Sequence, residues 1–470
     1  MMKKAFFLLC MAAGLMSCNK EVLNTPDDNT QNEGVPMTFN VTVLETKAAK
    51  TAWANGDKIY VFFKGMATKY LVLTYDSGSW SNTTDPGVEA FVAGDFTPYA
   101  VSGDKKLTAV HFPVAIDVAY ADGKFSFTSG GMPVYNYYVF ETGKDYTVDA
   151  TTVTATLSLD KPAGMVQIHV AGIQDNVAEY TFGCSKIKPV ACASVGTNGA
   201  ITEKELQAGA RLSGFKDSDG GVFAGRLTTA GPADFKFTLA SDTQIYTLTR
   251  TGKTLTAGKM FNFPALSVTG GSNWAVTDAS DLYVDLGLPS GTKWAKCNLG
   301  AATETDYGDY FAWGETTGTN EGKTNFANWS NYHFGSSPFT KYTGSDYLTL
   351  EKEDDAAYAA LGGKFRMPTG TEWTELRDNC TCVWTTQSGI NGRLFTSKKA
   401  GYTDKSIFIP AAGYFTSSAQ TVGSNGYFWS SSLRGSTYSQ YGRTEEFNSG
   451  SDSYGNEFRY YGFSVRPVSD

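Results

Sequence analysis

Apolar and polar residues alternate along most of the chain between Pro36 and Leu266. The segments KIYVFF (58–63) and KYLVLTY (69–75) are rich in branched and aromatic residues, and the sequence DSGS (76–79) supplies a turn after the second. Short strands separated by turns at this density predict antiparallel sheets that pack face to face as β-sandwiches.

Two later segments show the same period, and one departs from it. In VQIHV (166–170) the valines and the isoleucine fall on one face, and Gln167 and His169 fall on the other. The segment DFKFTLASDTQIYTLTR (234–250) is typical of a β-hairpin that turns at ASDT. Within this part of the chain, only TEKELQAG (202–209) has a pattern that favours a helix.

The pattern changes after the glycine-rich sequence GGSN (270–273), and two helices are predicted beyond it. Residues 351–355 bring four carboxylates to a helix start, where they face the positive end of the helix dipole, and Gly362 ends that helix. Thr369–Glu372 has the capping-box pattern of a second helix. The strand-like segments SIFIPAAG, GYFWSSS and GFSVRPV follow, so an α+β domain is predicted over 281–470.

The first residues have the pattern of a secretory signal. Two lysines precede an apolar run that is too short to span a bilayer, and small residues follow it. The sequence LMSC (15–18) resembles the lipobox of bacterial lipoproteins, which implies lipidation of Cys18 and an outer-membrane anchor that faces the cell exterior. Residues 1–18 are interpreted as the signal, and the polar residues 19–35 as a flexible tether. Plain cleavage by the general signal peptidase is the alternative.

Composition limits the partners and the covalent bonds of the mature chain. The formal net charge of −8 becomes −10 once the two lysines of the signal are removed, so we expect no affinity for nucleic acid. About 450 mature residues are too many for a single hydrophobic core, so about three domains are predicted. The five remaining cysteines are too few for a disulfide scaffold. Cys184 could bridge to Cys192 and Cys297 to Cys380, and an odd count leaves a free thiol.

The serine run at 430–432 is the first candidate for catalysis. A serine nucleophile needs a base and an orienting acid within hydrogen-bond reach. Only one of the three histidines, His333, lies in the same predicted domain, and no S-x-x-K pattern occurs near these serines. We therefore interpret the serines as structural.

Three segments of the first half resemble the fimbrillin-like proteins of Bacteroides and its relatives: MTFNVTVLETKAAKTAWANGDKIYVF, TATLSLDKPAGMVQIHV and LTAGKMFNFPAL. The resemblance implies two tandem transthyretin-like β-sandwiches, over 36–150 and 151–268. Shaft subunits of that family are cut after an arginine in the N-terminal domain, which opens a groove for a neighbour's donor strand. The first arginine here is Arg211, and only lysines such as Lys47 and Lys50 lie near the usual cut. We therefore expect a stalk that stays anchored.

The second half resembles the Fibrobacter succinogenes major paralogous domain in several segments that run in order: LYVDLGLPSGTKWAKCNLGA, YGDYFAWGE, GKFRMPTGTEWTEL, SIFIPAAGYF, GYFWSSS and YGFSVRPV. The resemblance implies a fold akin to C-type lectins and formylglycine-generating enzymes over 281–470, after a linker at 269–280. It also implies that Trp429 packs inside the domain and that the serines after it satisfy neighbouring backbone groups.

The chemistry of that fold's enzymes and lectins is not expected here. Oxygenase-like members bind iron through several histidines, which one histidine cannot supply. Formylglycine-generating members bind copper through a cysteine pair, and Cys380 and Cys382 are available, but further sulfur or nitrogen ligands are scarce. The calcium-binding tripeptides of lectins are missing, and dipole capping explains the acids at 351–355. We predict no catalytic residue, no metal ligand and no cofactor.

Recognition of a ligand is the remaining function. Two polar segments rich in aromatic residues, 314–346 and 433–462, are predicted to be long loops. Aromatic faces stack on sugar rings, while polar side chains bond to hydroxyl or peptide groups. The candidate ligand-binding residues are Trp329, Tyr332, Phe334, Tyr342, Tyr438 and Arg443. The alternative is that these aromatic residues fill the interior of the domain.

Together these features predict a mainly β, non-catalytic surface lipoprotein. Its fimbrillin-like stalk would present a lectin-fold domain for adhesion to a glycan or to a protein of a host or bacterial surface. An accessory or anchoring subunit of a fimbria assembled by donor-strand exchange is the alternative, with other fimbrial subunits as partners. An oxidase-like enzyme of the formylglycine-generating fold ranks third.

Overall fold

The computed structural model of the protein describes residues 36–43, 53–66, 68–83, 90–102, 104–112, 115–129, 132–133, 139–159, 165–171, 180–184, 187–205, 207, 212–215, 221–227, 231–255, 261–262, 266–267, 274–343 and 348–470. The predicted signal, the tether and Cys18 lie outside these residues, as do Lys47 and Lys50. Most of the regular structure in the described residues is β-strand, so the prediction of a mainly β chain is confirmed.

A five-stranded sheet in the first part of the chain has an apolar core on each of its faces. Within it, alternate residues from Ile59 to Phe63 are buried in one core, and Tyr60 and Phe62 are buried in the other. A strand that is buried on both faces explains the unbroken apolar run of KIYVFF. The strands in spatial order are Ser79–Thr83, Leu71–Asp76, Lys58–Phe63, Lys106–His111 and Val139–Asp145.

A three-stranded sheet and a helix cover the first of these cores. The sheet consists of Thr38–Val43, Thr152–Leu157 and Thr147–Asp149, and the helix Ala93–Ser102, which the sequence pattern did not predict, buries Phe96. Thr152–Leu157 follows the predicted boundary between the sandwiches, yet it pairs in parallel with Thr38–Val43. The division at residue 150 stays a prediction, and this pairing ties the start of the second segment to the first.

A nine-stranded sheet continues from the first part of the chain into the second. Its strand Lys124–Ser129 pairs with Ile187–Gly196, and Phe125, Phe127 and Val195 enter the second core. The main path is Phe261–Asn262, Met165–Ala171, Gly221–Leu227, Ile187–Gly196, Lys124–Ser129 and Asp117–Ala121, with Ile201–Glu205, Leu266–Ser267 and Met132–Pro133 paired beside it. The helix expected at 202–209 is wrong for the described residues, because Ile201–Glu205 pairs with Ile187–Gly196 as a strand.

A second five-stranded sheet leads into the C-terminal region. Its strands in spatial order are Leu212–Phe215, Tyr180–Cys184, Gly231–Ala240, Gln244–Leu255 and Ala275–Asp278. The hairpin predicted at 234–250 is confirmed, with its turn at Ser241–Thr243. Residues 275–278 belong to the predicted linker but pair with Gln244–Leu255, so part of that linker is a strand of this sheet.

The described residues of 281–470 form four small sheets and two short helices. The first two sheets contain Tyr283–Val284, Lys293–Ala295, Val468–Ser469 and Phe365–Arg366, and then Tyr310–Phe311, Phe463–Ser464, Gly426–Leu433, Tyr441–Phe447 and Asp452–Phe458. The other two contain Cys380–Gln387, Ile390–Ser397 and Ser406–Pro410, and then Tyr414–Phe415 and Ala419–Gln420. The 3-10 turns among the described residues are Ala279–Leu282, Thr319–Glu321, Trp329–Asn331, Lys352–Asp354 and Ser436–Tyr438.

Both predicted helices form, and their ends follow the sequence signals. Asp355 caps the helix Ala356–Leu361 by accepting the backbone N–H of Tyr358 at 3.0 Å, and Gly362 ends it at a φ of 67°. Glu353 and Asp354 lie outside this helix, in a 3-10 turn that Glu351 precedes, so the expectation that all four acids stand at the helix start is wrong except for Asp355. The capping box at Thr369–Glu372 is confirmed at the start of the helix Gly370–Asn379.

The C-terminal region contacts the preceding sheet through buried groups. The side chain of Gln207 donates to the carbonyl of Gly314 at 2.6 Å and to Asp354 Oδ1 at 2.7 Å, and it accepts the N–H of Thr316 at 3.0 Å. Phe365 packs in a small apolar cluster with Ala240, Ile245 and Ala279. These contacts fasten residues 281–470 to Gln207, which lies outside the described strands, and to the second five-stranded sheet through Ala240 and Ile245.

Two further observations concern disulfide bonds and membrane-spanning helices. Cys184, Cys297, Cys380 and Cys382 form no disulfide bond, so neither of the two possible bridges forms in the described structure. Among the helices of the described residues, none combines the length and the apolar character needed to cross a membrane.

Candidate functional site

The aromatic residues of the first predicted loop point into the domain. Tyr332, Phe334 and Tyr342 are buried, and none exposes more than 5% of its surface. Tyr332 donates its hydroxyl to the carbonyl of Trp313 at 2.8 Å, and Tyr342 donates to Asp354 Oδ2 at 2.6 Å. A buried ring whose hydroxyl is already bonded cannot stack on an external ligand. The interpretation of these three residues as ligand contacts is therefore corrected, because they belong to the core.

A buried arginine explains why these rings pack inward. Arg459 is fully buried, and its guanidinium lies 3.9 Å from the centre of the Phe339 ring. The rings of Trp313 and Tyr332 lie at 5.3 and 5.5 Å. None of the three guanidinium nitrogens has a hydrogen-bond partner among the described residues, and burial lowers the pKa of Arg459. The ring faces therefore supply the negative potential that this cation requires.

Trp329 differs from these residues because it reaches the surface. It is partly exposed and begins a 3-10 turn that the side chain of Asn328 caps. Its ring lies edge-on to Tyr460, with ring centres 4.6 Å apart, and Tyr460 contacts Tyr461 at 4.7 Å. These contacts join Trp329 to a row of tyrosines from other parts of the chain.

The row of tyrosines continues across the neighbouring strands. The ring centre of Tyr461 lies 6.1 Å from that of Tyr414, which lies 5.4 Å from that of Tyr427. All of these rings are partly exposed, and the buried Phe463 supports Tyr427 and Tyr461 from below. We call the contiguous surface formed by these side chains the tyrosine face: Trp329, Tyr414, Tyr427, Tyr460 and Tyr461.

Two glutamates border the tyrosine face. Glu446 lies opposite Tyr427 in the sheet register and accepts a hydrogen bond from the Thr444 hydroxyl at 2.7 Å. Glu457 belongs to the neighbouring strand, and burial followed by the charge of Glu446 raises its pKa. No lysine or arginine of the described residues forms an ion pair with either glutamate. The border of the face therefore carries carboxylates that no cation of the described chain neutralises.

The ionisation of the tyrosines fits a hydrogen-bonding surface. Burial, then the charges of Glu446 and Glu457, raises the pKa of Tyr427. Burial, then a hydrogen bond with Tyr461, raises the pKa of Tyr460 to about 12. These hydroxyls therefore keep their protons at neutral pH and can donate hydrogen bonds, while the carboxylates accept them. The face combines ring surfaces for stacking with donors and acceptors for polar groups.

The last two candidate residues, Tyr438 and Arg443, lie apart from Glu446. Tyr438 is exposed, and the guanidinium of Arg434 lies 4.1 Å from its ring centre. Arg443 is exposed, and its side chain lies beside Gly370 at the start of a helix. Because Arg443 is three residues from Glu446 in the same strand, the two side chains project from opposite faces. Of the six candidates, the structure therefore brings only Trp329 into the tyrosine face.

The acidic run at 351–355 surrounds a lysine. Carboxylate oxygens of Glu351, Glu353 and Asp354 lie close enough together to hold a metal ion. The ammonium of Lys341 lies 2.5, 2.7 and 2.6 Å from them, respectively. Burial alone would lower the pKa of Lys341, but hydrogen bonds to the three carboxylates outweigh it and raise that pKa. The cation of this cluster is therefore a side chain of the protein itself.

The hydroxyls of the serine run form hydrogen bonds with neighbouring backbone groups. The hydroxyl of Ser430 donates to the carbonyl of Arg443 at 3.0 Å, and that of Ser431 donates to the carbonyl of Pro368 at 3.3 Å. Ser432 accepts the N–H of Gly370 at 3.1 Å. These bonds support the structural interpretation of the serines. Trp429 is fully buried before them, as the resemblance implies.

The sequence pattern did not predict the tyrosine face, because Trp329 lies in the first predicted loop while the tyrosines lie in the second loop or in the residues before it. Residues 433–462 are not one long loop: they contain the strands Tyr441–Phe447 and Asp452–Phe458. The sequence NSGS (448–451) is typical of a turn, and it lies between two strands of equal length. In this turn the side chain of Asn448 accepts backbone N–H groups of the residues that follow it. That hairpin carries Glu446 and Glu457.

No family model and no curated protein matches the chain. A candidate cell adhesion protein from Bacteroides ovatus is 12% identical over 53% of this chain and 97% of its own, with a TM-score of 0.28. A second, from Bacteroides uniformis, is 14% identical over 52% and 97%, with a TM-score of 0.25. A fimbrial protein from Bacteroides ovatus is 10% identical over 93% and 100%, with a TM-score of 0.23. Similarities this low transfer neither fold nor function.

Proposed function

We propose that the protein is a non-catalytic surface protein, anchored in the outer membrane through Cys18, that binds a glycan or a surface protein through the tyrosine face. The observation that carries this proposal is one contiguous surface of partly exposed aromatic rings bordered by two carboxylates. The lipobox pattern at the start of the chain supports the anchor, and the resemblances of the two halves support a stalk with a lectin-fold domain.

The tyrosine face has the properties of a preorganised binding site. Its rings support one another, and Phe463 fixes two of them from the core, so little side-chain freedom remains to be lost on binding. Tyrosine and tryptophan combine a large apolar area with a polar group, which is why they are frequent anchors of recognition surfaces. A sugar ring or a peptide could stack on these rings while its polar groups bond to the hydroxyls and carboxylates.

The rest of the structure is consistent with presentation of this face. Gln207 and the cluster around Phe365 fasten the C-terminal region to the part of the chain that precedes it. The strand Ala275–Asp278 leads directly from that sheet into the C-terminal region. In the proposed function, the first 268 residues carry the binding region away from the membrane.

The test is an array of glycans and of host and bacterial surface proteins, probed with the full-length chain. We expect at least one ligand whose capture falls about 30-fold when both Tyr427 and Tyr461 are replaced by alanine, since two stacked anchors would be lost. The matched control is Tyr120→Ala, an exposed tyrosine of the first sandwich, and it should leave capture unchanged. Circular dichroism melting checks that the variants fold. Capture of every ligand at the same level by the double variant would refute the proposal.

A further inference from the structure

The strand Asp452–Phe458 lies at an edge of its sheet. It pairs with Tyr441–Phe447 on one side, and no strand of the described residues pairs with its other side. Such an edge presents alternate backbone N–H and C=O groups to solvent, and proteins usually protect it with proline, lysine or a covering segment. This strand, DSYGNEF, contains neither proline nor lysine. The edge is therefore able to accept another strand.

The two faces of this edge differ in chemistry. Gly455 pairs with Thr444, and a Cβ atom at Gly455 would overlap the carboxylate of Glu446. The absence of a side chain at 455 therefore lets Glu446 extend toward the edge, on the same face as Glu457. On the other face Tyr454 exposes 66% of its surface. One face of the edge carries Glu446 and Glu457. The other presents the ring of Tyr454 beside Asp452, whose carboxylate is paired with Arg393 at 3.8 Å.

We propose that Asp452–Phe458 accepts an extended segment of a partner protein as an added strand, and that Glu446 and Glu457 select lysine or arginine on one face of that segment. The inference rests on the proposed function, because these glutamates border the tyrosine face. Alternation in the added strand would place its basic residues over the glutamates and its apolar residues beside Tyr454. The partner is therefore a polypeptide in which basic and apolar residues alternate.

A second copy of this chain does not fit the same edge. Pairing two identical edges would bring Glu446 and Glu457 of both copies onto the joined sheet, where like charges destabilise cross-strand pairs. No lysine or arginine of the described residues is paired with these glutamates to neutralise them. Charge complementarity therefore favours a basic partner over self-association.

The test uses the full-length chain and a short fluorescent peptide in which lysine and valine alternate. Fluorescence anisotropy compares its Kd with those of three other peptides: one with glutamate for lysine, one of equal composition with all lysines consecutive, and one with a central proline. We expect the alternating peptide to bind at least about tenfold more tightly than each of the others. Strand addition requires that one peptide combine alternating side chains, backbone N–H donors that proline would remove, and positive charge.

Substitutions on the protein complete the test. The variant E446Q/E457Q should weaken binding of the alternating peptide at least about tenfold, because both carboxylate charges are removed. The matched control is Asp404→Asn, an exposed carboxylate elsewhere in the C-terminal region, which should leave the Kd unchanged. Melting followed by circular dichroism establishes that both variants remain folded.

The outcomes separate this inference from the proposed function. Equal binding of the consecutive-lysine or proline peptide would overturn the inference, since the attraction would then be to net charge alone. An unchanged Kd for E446Q/E457Q would overturn it as well. A glycan bound through Tyr427, together with no binding of the alternating peptide, would overturn the inference and leave the proposed function intact. If no array ligand bound in a Tyr427-dependent manner and the alternating peptide did not bind, both would fail.

Discussion

Replacing Glu445 by glutamine should remove a pH dependence of stability from the C-terminal region. Glu445 is fully buried in the strand that also carries Glu446, and its Oε2 accepts a hydrogen bond from Arg377 Nη1 at 2.9 Å. Its other oxygen has no hydrogen-bond partner among the described residues. Burial dominates this environment and raises the pKa of Glu445 to about 8, although Arg377 lowers it.

The sign of the effect follows from the raised pKa. The folded protein holds the Glu445 proton more tightly than the unfolded chain does, so this contribution to stability is complete below pH 4.5 and is lost as the pH rises to about 8. The pKa of Asp355 is also raised by burial, to about 6, so its effect ends at lower pH. Between about pH 6.5 and 8, Glu445 dominates. The free energy of unfolding falls by about 1.4 kcal/mol per pH unit, so roughly 2 kcal/mol is lost over this pH range.

Urea unfolding followed by tryptophan fluorescence measures this difference on the full-length chain. The parent should lose roughly 2 kcal/mol of unfolding free energy between about pH 6.5 and 8, while Glu445→Gln, which cannot ionise, should lose little. Glu446→Gln is the matched control, because its carboxylate is partly exposed on the opposite face of the same strand. A parent whose stability is constant or rises over this range, or a Glu445→Gln variant that keeps the parent's slope, would refute the reasoning.

Four other substitutions test the anchor, the core and the contact between regions. Cys18→Ala should move the protein from the membrane to the soluble fraction in cell fractionation, since acyl chains supply its affinity for lipid. Trp429→Ala should cost about 3–5 kcal/mol in urea unfolding, whereas the partly exposed Trp329→Ala should cost less and reduce capture on the array. Gln207→Ala should cost about 1–3 kcal/mol by the same measurement, because three buried groups lose their partner.

Features set by local chemistry could be predicted from the sequence. The capping box at Thr369–Glu372 depends on residues three positions apart, and it forms as expected. The hairpin at 234–250 depends on alternation around one turn, and it also forms. The burial of Trp429 came from the resemblance to a known domain and not from its pattern, since a tryptophan within a strand can face either way.

Features set by distant contacts could not be predicted. Tyr332 and Tyr342 lie in a polar segment whose composition is equally compatible with an exposed binding loop. What fixes them inside is Arg459, more than a hundred residues later in the chain, together with Asp354, which accepts the hydroxyl of Tyr342. Local pattern contains no information about that pairing, because an arginine in sequence is normally read as a surface residue.

The exposure of residues in the tyrosine face could not be predicted from local sequence either. Tyr427 and Trp429 alternate in one strand and share a face, yet one is partly exposed at the border of the sheet and the other is fully buried. The difference arises from their neighbours, since Tyr427 lies opposite Glu446 whereas the ring N–H of Trp429 donates to the carbonyl of Phe311 at 2.8 Å inside the core. A one-residue shift in that register would exchange the buried and exposed sets. The candidate site therefore depends on the register of a hairpin, and a mutation that changes the turn at Asn448 should affect binding as strongly as a change in the tyrosines.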